Sequence, residues 1–362
     1  MDRADFRRKR SSARASEFGT SRRMTILSVL DQSPIRAGCT PAAALRETLT
    51  LAEFCDRAGY HRYWLAEHHS TGGLAGSAPE IMIGQVAART KNLRVGSGGV
   101  MLSHYSSLKV AENFRVLEAL YPGRIDLGIG RAPGSDGLTA GALAHGPGAL
   151  GIEHFPAQIR DVQAWISGNM PDGHPFKQVT AMPAGETDPE MWLLGSSDQS
   201  AAYAAYFGMA FSFAHFINPQ GGPLVMEAYR GNFEASAQLA KPAGSIGIFV
   251  ICADTEAEAL ELRWSRDLWT LRLHTGRTGP VPTVEEAKNY PYTDRDRMII
   301  EHNRPRTIAG DPGQVRAQIL ELGDAYKVDE FVVVTISDRF EARLRSYELL
   351  AEAFALAPAG AA

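Results

Sequence analysis

The amino-acid sequence predicts an α/β fold, a (β/α)8 TIM barrel with long loops after its fourth and seventh strands. Eight apolar segments with strand character alternate with segments of helical spacing over residues 24–356. The clearest unit is Leu93–Gly137, where one helix separates two strands that lie about 30 residues apart, as in a βαβ unit. Eight such alternations favour a closed barrel of parallel strands over an open doubly wound sheet.

The eight predicted strands are short apolar runs of the kind that parallel strands buried on both faces require. Glycine, proline or polar residues follow the runs and end them. The predicted strands are Ile26–Leu30, Tyr60–Ala66, Leu93–Leu102, Ile125–Ile129, Met191–Leu194, Ala210–Phe216, Ser245–Cys252 and Glu330–Ile336.

Start and stop signals define the predicted helices between these strands. Thr40 and Pro41 supply a hydroxyl cap and a proline at the first helical position, and Gly59 closes that helix. Ser77 and Glu80 have the spacing of a capping box at the next helix. The predicted helices are residues 40–58, 77–90, 107–120, 155–166, 200–207, 224–239, 255–274, 311–322 and 339–356.

Two long segments interrupt the alternation. Residues 136–190 carry one predicted helix, and residues 275–306 read as irregular. Both follow a strand, so in a barrel both lie at the carboxyl-terminal face, where active sites are built. Loops of this length in a compact domain are usually functional.

Composition excludes several classes of protein. No apolar run reaches the 18 residues that suggest a membrane span, and three cysteines without a CxxC pair argue against disulfides or a zinc ribbon. We therefore expect a cytoplasmic protein. A net charge of −4 gives no reason to expect nucleic acid or an anionic membrane as a partner.

The positive charge gathers at the amino terminus. Residues 1–23 hold eight Lys and Arg against three Asp and Glu. One interpretation of this segment is a nucleic-acid-binding arm or a targeting segment. We favour a disordered, vector-derived leader, because residues 15–20 resemble translated cloning sites and Met24 precedes the first strand. Residues 24–362 are then expected to form a single barrel domain.

Two groups of residues at strand ends suggest a flat ligand that carries a phosphate. Gly98 and Gly99 end the third strand, where glycines let the backbone approach a ligand closely. Arg131 follows the fourth strand and offers a planar cation. The Gly195–Ser197 turn precedes a helix, and its backbone N–H groups and hydroxyls suit an anion. Ordinary loop glycines and an ordinary helix cap are the alternatives.

Glu67, His68 and His69 end the second strand and combine metal-ligand types. Successive strand residues point to opposite faces, so His68 and His69 are badly placed to share one ion, and we predict no metal site. A structural role for one histidine and a catalytic role for the other remain open. The glycines at 128–134 lack the spacing of a dinucleotide-binding fingerprint.

Taken together, these segments resemble the bacterial luciferase-like family of flavin-dependent monooxygenases. The likeness runs from about Met24 to Leu356 and is strongest to single-chain members, which include the tailoring oxygenase of the aromatic polyketide mensacarcin. The segments that carry the resemblance, in family order, are YWLAEHHS, NLRVGSGGVMLSHYSSLKVAE, GRIDLGIGRAPG, WLLGSS and TIAGDPGQVRAQILEL.

The resemblance implies FMN as the cofactor and assigns roles to the residues already named. Gly98 and Gly99 match the pair whose cis peptide backs the isoalloxazine ring. Arg131 matches the phosphate-binding arginine, and the remaining phosphate contacts fall on Gly195, Ser196 and Ser197. His68 matches the active-site histidine, and residues 275–306 take the place of the family's mobile lid.

The chemistry that the resemblance implies is oxygenation. Reduced FMN (FMNH2) would react with O2 to a C4a-peroxyflavin, which oxygenates a small organic substrate, with an aromatic polyketide as one candidate. His68 would move a proton, and its ordinary pKa places its titration near neutrality. A separate reductase would supply the reduced flavin, and a homodimer is expected; antibiotic biosynthesis is the context that the polyketide likeness suggests.

Departures from the family pattern qualify this interpretation. Gly130 stands where luciferase has a reactive cysteine, and Gly195 replaces a glutamate, so we expect a monooxygenase that does not emit light. The alternatives are an F420-dependent oxidoreductase and a flavin-binding protein without turnover. Residues of the two long segments that could line the pocket are Phe155, Phe176, Tyr290, Tyr292, His302, Arg304 and Arg306, with His104 as a second polar contact. A position on the surface is the alternative for each of them.

Overall fold

The strands of this chain form one parallel sheet that closes on itself. The computed structural model describes residues 24–131, 136–144 and 151–357, so the predicted leader at 1–23 lies outside the described residues. The strand order is β10-β1-β2-β3-β5-β6-β7-β8, and β8 pairs with β10 to complete the barrel. The strands are β1 Ile26–Asp31, β2 Arg62–Leu65, β3 Arg94–Ser97, β4 Val100–Met101, β5 Ile125–Gly130, β6 Glu190–Gly195, β7 Ala210–Ala214, β8 Gly244–Cys252, β9 Thr307–Gly310 and β10 Glu330–Val334.

The predicted TIM barrel is therefore confirmed, with two differences in its strands. The third predicted strand is divided into β3 and β4 at Gly98 and Gly99, and β4 continues the pairing with β5. Strand β9 was not predicted. It pairs with the carboxyl half of β8, whereas the amino half of β8 pairs with β10.

Twelve α-helices occur in the described part of the chain, and most of them cover the outside of the barrel. No helix among the described residues is long and apolar enough to cross a membrane. The helices are α1 Pro41–Ala58, α2 Pro79–Arg89, α3 Ser107–Leu120, α4 Gly137–Leu143, α5 Phe155–Ser167, α6 Asp198–Tyr206, α7 Gly222–Gly231, α8 Glu256–His274, α9 Val284–Asn289, α10 Asp294–Asn303, α11 Pro312–Tyr326 and α12 Phe340–Ala353.

Four helix predictions were wrong. The segment 136–190 carries helix α4 in addition to the one helix predicted there. Helix α2 starts one residue later than a cap at Ser77 requires: its N-cap is Ala78, which makes no side-chain cap bond. Helix α7 ends at Gly231, so residues 232–239 are not helical. The segment 275–306 is not irregular, because α9 and α10 begin at the hydroxyl caps Thr283 and Thr293.

The amino-terminal end of the barrel is closed by a buried network of charges. Arg62 Nη1 lies 2.9 Å from Asp126 Oδ2, and Arg62 Nε lies 2.7 Å from Glu330 Oε1. Trp64 donates its indole N–H to the same Asp126 oxygen, and its ring packs edge-on against Trp192 at 5.2 Å between centroids. The charged layer and the two tryptophans fill this part of the barrel interior, and Trp64 also lines the cavity described below.

Candidate active site

A cavity of about 420 Å3 opens at the carboxyl-terminal end of the barrel. Its walls are the last residues of the barrel strands and the first residues of the loops that follow. All seven residues predicted for the site line this one cavity. They are His68, Gly98, Gly99, Arg131, Gly195, Ser196 and Ser197.

Glycine backbone forms one wall of the cavity. The peptide bond between Gly98 and Gly99 is cis. A Cβ atom at Gly99 would lie 2.7 Å from the carbonyl oxygen of Gly128 and 2.7 Å from a methyl carbon of Leu194. At Gly98, a Cβ would collide with Leu30 and approach Trp64. Neither position has room for a side chain, so the wall is bare backbone against which a flat group can lie.

Cation and hydroxyl donors gather at a different part of the rim. The Arg131 guanidinium donates to the amide oxygen of Gln199 on α6, which places it beside the first turn of that helix. Ser197 is the N-cap of α6, and its hydroxyl accepts the backbone N–H of Ser200. The positive end of the helix dipole and Arg131 therefore face the same space, an arrangement that favours an anion.

Gly195 is explained by this helix start. A Cβ at position 195 would collide with the Ser200 side chain. Close packing of the strand end on the first turn of α6 therefore requires glycine there and leaves no room for the longer acidic side chain that the family pattern has. Gly130 differs, because among the described residues a Cβ there would meet only the Val100 carbonyl oxygen, at 3.9 Å. The lack of a side chain at Gly130 leaves open space in the cavity.

Glu67 and His69 are a structural pair. The buried Glu67 carboxylate accepts the Met101 N–H at 2.9 Å and the Tyr105 hydroxyl at 2.5 Å, and it lies 2.7 Å from His69 Nε2. These bonds fix the loop after β2 to the segment after β4. Among the described residues there is no group of His, Cys, Asp and Glu that could hold a metal ion.

His68 lines the cavity and lacks the partners of its neighbour. Its Nδ1 atom is buried and makes no hydrogen bond with any described residue. Burial, and secondarily the neighbouring His69, lower the pKa of His68 from 6.5 to about 4. The expectation that this histidine titrates near neutrality was therefore wrong for the protein alone: the imidazole is neutral at pH 7 and can accept a proton.

Gln32 is a cavity residue that the sequence analysis missed. It follows β1, is only 8% exposed, and its Oε1 atom has no hydrogen-bond partner in the described part of the chain. A buried amide oxygen without a donor is costly unless a ligand supplies one. The sequence signal was present, since polar residues at 31–33 directly follow a buried strand.

The aromatic residues proposed for the pocket lie elsewhere. Phe155 is fully buried in the core outside the barrel, and Phe176 is 52% exposed and stacks on Trp165. Tyr290 and Tyr292 pack on each other at 4.9 Å between ring centroids. None of these four lines the cavity, nor does His104; the aromatic wall is formed by Trp64 and Phe216 instead.

Comparison with known proteins identifies the relatives of this chain. The family model described as luciferase-like monooxygenase matches residues 25–327. The uncharacterized protein YceB of Bacillus subtilis is 47% identical over 91% of this chain and 100% of its own length. The N-acetyl-S-alkylcysteine monooxygenase of the same organism is 39% identical over 91% of this chain and 98% of its own.

A solved structure of high similarity is that of apo-MsnO8, a mensacarcin-related monooxygenase. It is 38% identical, has a TM-score of 0.83, and the match covers 93% of this chain and 99% of that one. The similarity extends over the whole barrel, and the expected resemblance to the mensacarcin oxygenase is confirmed.

Proposed function

Because this chain belongs to the luciferase-like monooxygenase family, we propose that it is a monooxygenase that uses reduced FMN and O2 to oxygenate a small organic substrate. Family membership supports an oxygenase; the cofactor is inferred from the site. One observation carries this inference: a bare backbone wall and an anion-binding helix start face the same cavity. FMN needs both features, since it joins a flat ring to a phosphate.

The residues of the cavity fit FMN in chemistry as well as in shape. Arg131, Ser196 and Ser197 would hold the phosphate, and Gly98 and Gly99 would back the ring. Bound reduced FMN supplies the activation of O2, which no side chain of the protein performs. Gln32 has an amide oxygen without a partner, so it would accept a hydrogen bond from a ring N–H.

The protein's own side chains would control water and protons. Leu30, Trp64 and Leu194 make much of the lining apolar, which excludes water from the reacting atoms. His68, neutral at pH 7, would accept a proton at its unpartnered Nδ1 and return it later in the cycle. Glu67 and His69 would hold the loop that carries His68 in position.

Partners and substrate belong to the same proposal. A separate reductase would deliver the reduced flavin, and the protein would act as a cytoplasmic homodimer, which light scattering tests. An aromatic polyketide is one substrate class, supported by the similarity to MsnO8. A thioether is a second class, because one relative is named for its action on N-acetyl-S-alkylcysteine.

The decisive experiment offers flavins to the purified protein and measures binding and oxygen use. We expect reduced FMN to bind, and oxygen consumption to become coupled to product when an accepted thioether or polyketide is added. Arg131→Gln should weaken FMN binding by about tenfold or more, since a charge-assisted bond to phosphate is lost. Binding of F420 in preference to FMN would contradict the proposal, as would FMN binding without oxygenation of any substrate tested.

A further inference from the structure

A second, smaller pocket shares the residue Phe216 with the cavity. Its volume is about 60 Å3. Its other walls come from α8, from α10 and from the chain that leads into β9. The polar side chains that argue for its role are Arg266, Thr270, His274, Asn303 and Arg306. We call this space the Arg266 pocket.

Arg266 is a buried cation without an anion. The residue is 7% exposed, and its guanidinium lies over the Phe249 ring at 3.9 Å and near Trp269 at 5.4 Å. Its Nη1 donates to Thr270, but its Nε atom is buried without a partner, and no described acidic residue forms an ion pair with it. Burial lowers the pKa of Arg266 to about 10, so it still carries its charge at pH 7.

The remaining groups of the pocket do not balance this charge. Asp267 is the acidic side chain of the lining, and its carboxylate is 2.9 Å from Arg304 Nε, so it is already paired. Arg306 adds a second, half-buried cation with no hydrogen bond or ion pair to any described residue. The His274 ring bonds to the Asn303 amide at 3.1 Å. Positive charge is therefore in excess, which a bound anion would compensate.

We propose that the Arg266 pocket binds the carboxylate of the substrate while the rest of the substrate extends past Phe216 into the cavity. A volume of about 60 Å3 admits one small planar anionic group and no larger body. The guanidinium that lies over the Phe249 ring keeps its Nε–H without a partner, and guanidinium N–H groups match a carboxylate. The inference rests on the proposed function only in placing the reacting group of the substrate beside the flavin.

The test uses benzoate and benzamide, a charged and a neutral probe of similar size, and needs no flavin. We expect calorimetry to show benzoate binding at least about tenfold more tightly than benzamide, and Arg266→Met to abolish this preference. Arg297→Met is the matched control, because Arg297 also lies over an aromatic ring, at 5.5 Å from Tyr292, but is exposed and outside the pocket. It should keep the preference.

Two results of the binding measurements would overturn the proposal. One is an equal affinity for both probes in the unmodified protein; the other is loss of benzoate binding in Arg131→Gln but not in Arg266→Met, which would move the anion to the helix start. FMN titration of the same variants separates this outcome from failure of the flavin assignment, since Arg266→Met should bind FMN normally.

Thermal unfolding separates a binding role from a structural one. Replacing an unpaired buried charge by an apolar side chain of similar length should leave the melting temperature of the ligand-free protein unchanged or raise it. A purely structural stack on Phe249 predicts a lower melting temperature and an unchanged probe preference, which would refute the site. If Arg266→Met does not fold, Arg266→Lys is the variant to test. It keeps the charge and should retain part of the preference for benzoate over benzamide. Equal affinity of this variant for the two probes would count against the proposal.

Discussion

At the residue scale, two adjacent histidines of the same sequence motif have different surroundings. His69 lies against the Glu67 carboxylate, whereas His68 faces the cavity with a buried nitrogen that has no described partner. Both histidines lie beyond the end of β2 and not in the strand, so their different surroundings do not depend on strand alternation. The neutral imidazole of His68 has a nitrogen available for proton exchange. The Glu67–His69 pair holds the loop after β2, because the same carboxylate also accepts from Met101 and Tyr105.

This difference predicts the effect of His68→Ala. Turnover should fall by about 100-fold or more, the range for loss of a proton-transfer group, while FMN affinity changes less than about threefold. Steady-state kinetics and fluorescence titration of FMN measure the two quantities. His104→Ala is the control and should change neither, because His104 lies outside the cavity lining. Equal losses of turnover and affinity in His68→Ala would remove its proposed role.

Substitution by alanine should affect stability differently at two glycines of the cavity. Gly99→Ala forces a methyl group to within 2.7 Å of a backbone oxygen, so we expect a loss of about 1–3 kcal/mol in the free energy of unfolding. Gly130→Ala meets no described atom closer than 3.9 Å and should unfold at the same denaturant concentration as the unmodified protein. Its methyl group should instead reduce ligand affinity by occupying cavity space. Equal destabilisation by both would contradict the packing argument.

At the element scale, caps and periodicity located most helices and strands, and the errors have physical causes. The strong helix α1 has a cap, a proline and a closing glycine in agreement. The Ser77–Glu80 spacing is only a pattern, and the proline at the helix start fixed the cap one residue later. Helix α9 has only six residues, and the apolar stripe of α10 is weak, so neither showed the spacing that periodicity detects. Their threonine caps were the available signal.

The threonine that caps α1 can be compared with the serine that was predicted to cap α2. Thr40→Ala removes the hydroxyl that accepts the Ala43 N–H, and we expect it to lower the free energy of unfolding by about 1 kcal/mol. Ser77→Ala should change it by less than about 0.5 kcal/mol, because Ser77 is exposed and caps nothing. Urea denaturation followed by circular dichroism measures both. A larger loss for Ser77→Ala would mean that its hydroxyl does support α2.

At the scale of the whole molecule, the sequence predicted the barrel and the members of the site but not the polar groups that depend on tertiary contacts. Each predicted site residue ends or follows a strand, and the closure of parallel strands places all their carboxyl ends on one face. The Arg62 network and the Arg266 pocket join residues from distant elements. The Arg62 network has no local pattern. Arg266, Thr270 and His274 are spaced four residues apart on α8, but this spacing does not reveal that Arg266 is buried, because burial and pairing arise only when the barrel closes.

Buried titratable groups make the stability of the whole fold depend on pH in two separate windows. Burial keeps the pKa of His68 at about 4 in the fold, against 6.5 when unfolded, so the unfolded chain binds more protons between these values. Asp31 acts at lower pH: its carboxylate pairs with Arg343 at 2.8 Å, and although burial alone would raise its pKa, the net pKa lies below 3.8. The stability that this pair supplies is lost as pH falls through the lowered value.

The pH dependence of unfolding therefore tests whether His68 is neutral in the fold. From pH 6.5 down to pH 4.5, the unmodified protein should lose stability progressively, because folding must keep His68 unprotonated. His68→Asn removes this proton-binding group and should lose less stability over the same window. Burial also lowers the pKa values of His61 and His215, but these two residues contribute equally to both proteins.

Urea midpoints at pH 7.0, 5.5 and 4.5, chosen to span the roughly 4–6.5 interval, measure the slope of stability against pH. Parallel slopes for His68→Asn and the unmodified protein would show that His68 is protonated as easily in the fold as in the unfolded chain, and the neutral proton acceptor proposed for the cavity would have to be another group.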